Sequence, residues 1–316
     1  MSSDIAAGPE ADRRSPTLRT SGDLVVDRRF IYAHSAAAEG DHAAAAELLE
    51  QTLELAPQWA PLWLALATAY EKTGRPDEAV AAFSRAAEFD FDGELGAGLH
   101  LARLGSARTP AGAPENYIRG LFDQYADRFE AHLIEGLAYR GPGLLADALA
   151  RLGVEHFGHV IDLGCGTGLC GARFRAASDR LTGVDLSPRM IIEARGKGVY
   201  DRLETGGIAD FLAREPARSA NLVLAADVFV YFGDLAPVFA AASRVLEPAG
   251  LFAFTLQRAS DGDYELGPDM RFSQSEAYVK RVARGAGLSI ALLEQASTRK
   301  DAGADAPGLV VVAARA

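Results

Sequence analysis

The chain has 316 residues, 49% hydrophobic and 24% charged, which is material for two ordinary globular domains. Its 32 Lys and Arg against 43 Asp and Glu give a net charge of −11, which argues against a broad nucleic-acid footprint or adsorption to an anionic membrane. Two cysteines, Cys165 and Cys170, are too few for a disulfide scaffold or a zinc knuckle, and no long apolar run suggests a membrane span, so a reduced, cytoplasmic protein is expected.

Residues 1–22 contain Arg13 and Arg14 but no apolar stretch after them, and read as a disordered tail rather than a signal peptide. A repeat follows. Gly40 and Gly74, Ala45 and Ala79, Leu49 and Phe83, and Leu55 and Phe89 are each 34 residues apart. In the second unit, Trp63, Leu66, Ala67 and Tyr70 share a helix face, Gly74 ends that helix, and Pro76 opens another whose inner face carries Ala79, Phe83 and Ala86. This pattern resembles a tetratricopeptide repeat. The first unit, 26–59, is weaker, and a helix over 94–104 is expected to cap the stack. Residues 23–105 are read as this helical domain. Such repeats imply a surface for a protein partner or substrate.

Residues 106–115 (SARTPAGAPE) have linker composition. Beyond them, short apolar runs at 159–163, 180–184, 222–225, 251–256, 288–294 and 309–313 alternate with helical stretches at 168–176, 188–194, 235–246 and 273–286. Alternation of this kind predicts a parallel, doubly wound sheet. Only a polar loop, 295–307, joins the last two strands, so an antiparallel pair is expected there.

The most informative stretch is HVIDLGCGTGLCG, residues 159–171. A strand leads through glycines into a helix start, where backbone amides offer donors to a ligand lying on the chain. Gly166, Gly168 and Gly171 fit the G-x-G-x-x-G of dinucleotide-binding proteins, with Asp185 nineteen residues after Gly166. The competing pattern is Asp162-Leu-Gly164-Cys-Gly166-Thr-Gly168. An acid two residues before the first glycine suits a cationic ligand, a sulfonium or ammonium, better than a pyrophosphate.

Together with Gly183-Val-Asp185-Leu186-Ser-Pro-Arg-Met190, this segment resembles the class I S-adenosylmethionine-dependent methyltransferases. Residues 222–231 (LVLAADVFVY) resemble the family's fourth strand and turn. Residues 244–252 (RVLEPAGLF) resemble its Pro-Gly turn and fifth strand, and 117–130 (YIRGLFDQYADRFE) a lid helix. The combination with N-terminal repeats resembles a bacterial group of repeat-containing methyltransferases. The resemblance implies an α/β fold: a mostly parallel seven-stranded sheet with an antiparallel last strand over residues 116–316, preceded by the all-α repeats.

It also implies site roles. Asp162 would hold the methionyl amino group, and Gly164, Gly166 and Gly168 would floor the cofactor. Asp185, facing a solvent cleft, would accept both ribose hydroxyls, while Ser187 is better placed to cap the next helix. Leu186 and Met190 would pack on adenine. Where relatives carry an adenine-reading Asp, this chain has Gly207, leaving the amide of Ile208 to do so, with Asp210 facing elsewhere. Asp227 and Tyr231 would line the transfer site, Tyr125 and Phe129 would close over the sulfonium, and His132 is a candidate base. No cluster of metal-ligating residue types is present, so no metal is expected. The activity implied is methyl transfer from S-adenosylmethionine to a small molecule or protein side chain. Its rivals are an NAD-dependent oxidoreductase and a non-catalytic assembly factor built on the repeats.

Overall fold

The computed structural model describes residues 20–301 and 303–316, so the expected tail lies, as far as residue 19, outside the described residues. These fall into two compact units, one reaching Tyr117 and including Pro268–Met270, the other comprising Ile118–Gly267 and Arg271–Ala316.

The first unit is helical, with α1 (Leu24–Ala38), α2 (His42–Leu53), α3 (Ala60–Lys72), α4 (Pro76–Phe89) and α5 (Ala97–Arg103). Asp23 caps α1 and Asp41 caps α2, each carboxylate accepting backbone amides. Gly40 and Gly74 lie at positive φ, 91° and 74°, just past the first helix of each pair, which is why the 34-residue period carries glycine there. Ala45, Ala79, Phe83 and Ala86 are fully buried and Leu49 nearly so. The small residues let neighbouring helices approach closely. Leu55 departs from the repeat pattern by lying 53% exposed, whereas Phe89 is half-buried.

Two half-buried histidines sit in this unit. His100 stacks on Phe83 at 4.4 Å, and burial, helped by nearby Arg103, pushes its pKa down to about 4. Burial also lowers that of His34, and neither His34 Nε2 nor His100 Nδ1 finds a partner. Each imidazole is therefore neutral in the folded state and takes up a proton more readily once unfolded. The stability this supplies is complete above about pH 6.5 and is lost as pH falls toward 4. Both tryptophans, Trp59 and Trp63, lie in these repeats, so their emission reports this unit alone. Urea unfolding followed that way is expected to lose about 1.5 kcal/mol through His100 between pH 6.5 and 5, and His100→Phe should flatten the slope. An unchanged slope in the variant would show that His100 is not responsible.

In the second unit a helical segment comes first. It contains α6 (Glu115–Tyr125, here from Ile118 onward), a 3₁₀ turn at Ala126–Arg128, α7 (Phe129–Ala131) and a π turn at His132–Gly136, followed by α8 (Gly141–Arg151). Then come β1 (Phe157–Leu163), α9 (Leu169–Phe174), β2 (Ser178–Asp185), α10 (Pro188–Gly196), β3 (Arg202–Thr205), α11 (Ile208–Arg214), β4 (Ala220–Ala225), α12 (Ala236–Val245) and β5 (Leu246–Gln257). A small hairpin, β6 (Tyr264–Leu266) and β7 (Phe272–Gln274), precedes α13 (Glu276–Gly285) and β8 (Leu288–Gln295). The chain ends with β9 (Lys300–Asp301), β10 (Ala304–Asp305) and β11 (Gly308–Arg315).

The seven-stranded sheet has the order β3-β2-β1-β4-β5-β11-β8. Pairings among β3, β2, β1, β4 and β5 are parallel, while β11 runs antiparallel to both β5 and β8. β8 is thus parallel to β5, and the loop after it emerges at the same edge as the ends of β1, β2, β4 and β5. Strand order reverses between β1 and β4, the place where open α/β sheets bind ligands. One sheet face packs a phenylalanine-rich core, Phe211, Phe229, Phe239, Phe252 and Phe254, and the other packs Leu145, Leu149, Leu222 and Val310.

Two expectations change. The helix predicted over 273–286 begins at Glu276, because Ser275 caps it and residues 272–274 pair as β7. The loop 295–307 contains the short hairpin β9–β10.

Candidate active site

The site is built on the loop between β1 and α9. Gly164, Gly166 and Gly168 all have positive φ, 62°, 53° and 93°. A Cβ on Gly164 would lie 2.6 Å from Val228 Cγ2, so glycine there lets the turn after β4 press onto the loop. The Cys165 amide donates to the carbonyl of Val184 at 3.0 Å, which ties the loop to β2. Inside the loop, the Thr167 hydroxyl is buried and has no partner.

Asp185 ends β2. Its Oδ2 accepts from the Gly166 amide at 2.9 Å and its Oδ1 from the Ser187 amide at 2.9 Å. The residue is 9% exposed, so the carboxylate does not face open solvent as expected. Burial raises its pKa to about 6, against the two amides that stabilise its charge. Ser187 caps α10 through the Met190 amide at 3.1 Å, as its position suggested.

Asp162 is 1% exposed at the end of β1. The Tyr200 hydroxyl donates to its Oδ2 at 2.7 Å. Burial pushes this carboxyl up to about 7, with a smaller push from Asp185, while the tyrosine bond opposes the shift. Tyr200 escaped the sequence reading. The signal for it is the room left by Gly168, Gly171 and Gly183, whose missing Cβ atoms would all meet its ring.

The helical segment before α8 packs against the glycine loop. The Phe129 ring approaches the Cβ position of Gly166 to 3.6 Å. Phe122, Tyr125, Phe129 and Tyr231 form an edge-to-face cluster with ring centroids 5.5–5.9 Å apart. The Tyr125 hydroxyl is hydrogen-bonded to His132 Nδ1. Polar contacts fasten this segment to the β2–α10 side: Ser187 Oγ donates to Asp123 at 2.5 Å, Arg189 pairs with Asp127 at 2.6 Å, and Lys197 pairs with Glu130. Lys197 also donates to the Thr167 carbonyl at 2.8 Å.

Leu186 is half-buried and Met190 fully buried. Gly207 is the N-cap of α11 at φ −70°, and no side chain caps the first turn, where Ile208 lies. Asp210 is exposed on that turn. Tyr231 ends a 3₁₀ turn after β4.

Asp227 follows β4 in a left-handed conformation, φ 56°, unusual for a residue with a Cβ. The Thr255 hydroxyl accepts from its amide at 2.8 Å. Oδ1 accepts from the hydroxyls of Thr255 at 3.2 Å and Thr298 at 3.0 Å, and Oδ2 from Arg299 at 3.3 Å. Thr298 and Arg299 come from the loop after β8, which read only as polar, so nothing in its pattern placed them here. Burial drives the Tyr139 phenol pKa well up, and Asp227 and Asp162 add to the shift. Its hydroxyl therefore lies within the field of both acids.

Residues 160–250 match the family model described as a methyltransferase domain, and 36–104 match a tetratricopeptide-repeat model. The sheet unit thus contains the stretch that matches as a methyltransferase domain. Human methyltransferase-like protein 27 is 38% identical over 85 residues, 26% of this chain and 34% of that protein. Trans-aconitate 2-methyltransferase of Escherichia coli O1:K1 is 35% identical over 111 residues, 34% of this chain and 42% of that protein. The chain thus spans less than half the length of either relative. In fold, the methyltransferase domain resembles magnesium protoporphyrin IX methyltransferase from Synechocystis, solved with S-adenosylhomocysteine. That likeness has a TM-score of 0.51 at 16% identity, covering 64% of this chain and all of that one. A 1,6-didemethyltoxoflavin-N1-methyltransferase from Burkholderia thailandensis, also solved with S-adenosylhomocysteine, gives 0.50 at 20% identity, covering 66% and 93%.

Among the described residues no helix is long and apolar enough to cross a membrane, and no group of three metal-ligating side chains is present.

Proposed function

We propose that this chain transfers a methyl group from S-adenosylmethionine to a small molecule or a protein side chain, using a site contained in residues 116–316. The observation that carries the reading is the left-handed glycine loop, clamped through Gly166 by Asp185 and roofed by Phe129. A buried Thr167 hydroxyl without a partner fits a ligand laid along the loop, and the Phe129 ring over Gly166 would move aside to admit it. Asp162 would ionise more fully beside a sulfonium or ammonium, since a nearby cation favours the charged carboxylate. The faces of Tyr125 and Phe129 would favour the same charge. Each Asp185 oxygen keeps a lone pair for a ribose hydroxyl, and the Ile208 amide, on a helix turn that no side chain caps, would read adenine, with Leu186 and Met190 packing on the ring.

When bound, S-adenosylmethionine supplies an electrophilic methyl. That methyl would pass to an acceptor lone pair, the electron pair of the broken carbon–sulfur bond staying on sulfur. The protein's task is alignment, which in favourable cases supplies roughly 7–11 kcal/mol. Asp227 and Tyr231 would line the acceptor side. His132 would serve as base only for an acceptor protonated at neutral pH. We further assign residues 23–105, joined through 106–115, to binding a protein partner or substrate. The two free, buried cysteines support a cytoplasmic, reducing location.

Thermal unfolding tests the cofactor assignment. S-adenosylmethionine at about 100 times its Kd adds about 2.7 kcal/mol, which raises the Tm of a domain this size by roughly 5–10 °C. NAD should leave it unchanged. A shift with NAD and none with S-adenosylmethionine would overturn the proposal.

A further inference from the structure

Arg299 is the only buried Lys or Arg among the described residues, with 6% of its side chain exposed. A buried cation is costly unless it is fully paired. This one stands at the edge where β4 and β5 end, beside Asp227 and Gln257, in the wall of a small cavity also lined by Thr298, Pro307 and Gly308.

Its pairing is loose. Nη1 donates to Asp227 Oδ2 at 3.3 Å and Nη2 to Gln257 Oε1 at 3.3 Å. Charge-assisted bonds of this type normally close to about 2.7–2.9 Å. The competition is visible, because two threonine hydroxyls share the other oxygen of Asp227. A guanidinium has five N–H donors in a planar fork, and two long contacts leave much of that capacity unused.

The loop that carries Arg299 is nevertheless held firmly. The Arg140 amide donates to the Thr298 carbonyl at 2.7 Å, the Lys300 amide to the Leu137 carbonyl at 2.7 Å, and Arg140 Nη2 to the Ser297 carbonyl at 2.9 Å. The fold therefore invests in placing a cation at the ligand edge without saturating it.

We infer that Arg299 anchors the methyl acceptor through a carboxylate, making the acceptor a small organic acid. The acid engages the guanidinium fork in two parallel bonds, with Thr298 and Gln257 alongside, and its reacting atom is directed toward the β1–β4 boundary. This inference rests on the methyltransferase reading above and narrows its substrate class.

The test uses the full-length protein and the small-molecule fraction of a cell extract, separated on an anion exchanger at neutral pH. Methyl transfer from isotopically labelled S-adenosylmethionine is expected in the retained fraction, and esterifying that fraction's carboxyl groups beforehand should abolish it. Arg299→Gln should raise KM for the accepting fraction about 10- to 100-fold with kcat nearly unchanged, the mark of lost ground-state binding. Arg299→Lys, which keeps the charge but not the fork, should recover part of the loss. Affinity for S-adenosylmethionine, measured by titration, should be the same in all three proteins. Transfer only to unretained compounds or to protein overturns the inference, as does an unchanged KM in Arg299→Gln or an absence of any accepting acid. If S-adenosylmethionine itself fails to bind the wild type, the methyltransferase reading fails instead.

Discussion

Asp185→Ala is expected to weaken S-adenosylmethionine binding about a hundredfold while moving the Tm of the unliganded protein by only a few degrees. The carboxylate would offer charge-assisted acceptors to two ribose hydroxyls and already fixes the Gly166 amide beneath the ligand. Losing such bonds typically costs about 1.5–3 kcal/mol, and 2.7 kcal/mol corresponds to the hundredfold change. For the fold, two effects oppose. The Gly166 and Ser187 amides lose their acceptor, each worth about 1–3 kcal/mol. The variant also sheds a buried charge whose pKa stands at about 6 rather than 3.8, a penalty on the order of 3 kcal/mol at pH 7. The sign is checkable. A raised carboxyl pKa means that the folded state holds the proton longer, so wild-type stability from this group is lost as pH rises from about 4 through 6. The variant should lack that decline. Titration of both proteins with S-adenosylmethionine and a pH series of unfolding curves measure the two effects separately. Equal affinities would remove Asp185 from the ribose role.

Gly171→Ala is expected to destabilise the methyltransferase domain by about 3–5 kcal/mol, a fall in Tm of roughly 10 °C or more. The added Cβ would stand 2.3 Å from Tyr200 Cζ and 2.4 Å from its oxygen. The ring already fills the space that Gly183 and Gly168 leave, where a Cβ would stand within 2.9 and 3.1 Å of it. Its hydroxyl is also committed to Asp162. Overpacking of a rigid site costs about 1–3 kcal/mol, and displacing the phenol strips a buried carboxylate of its donor, about 1.5–3 kcal/mol more. Gly196→Ala is the control, because its Cβ would meet nothing within 4 Å. Combining Gly171→Ala with Tyr200→Leu should recover part of the loss. If Gly171→Ala unfolds at the wild-type temperature, Tyr200 does not hold Asp162 in the way described.

The same Tyr200 contact shows where the sequence stops being sufficient. Periodicity alone exposed the helical repeats, because a 34-residue spacing of Gly40 with Gly74 and Ala45 with Ala79 follows from local helix ends and close helix packing. The alternation of apolar runs with helices likewise determined a parallel sheet. The glycine loop was legible because three left-handed residues within five positions demand glycine locally.

What the sequence could not determine are interactions between residues far apart in the chain whose types carry no local signal. Tyr200 meets Asp162 across 38 residues, Asp185 is closed off by the turn it clamps, and Thr298 and Arg299 reach Asp227 across 71 and 72 residues from a loop that reads only as polar. Local chain chemistry determined the helices, the strand alternation and the ligand loop of this protein. The burial of its acids, and the arrival of a guanidinium at the edge of the sheet, were decided by the tertiary structure, because desolvation and charge pairing depend on which distant segments the sheet brings together.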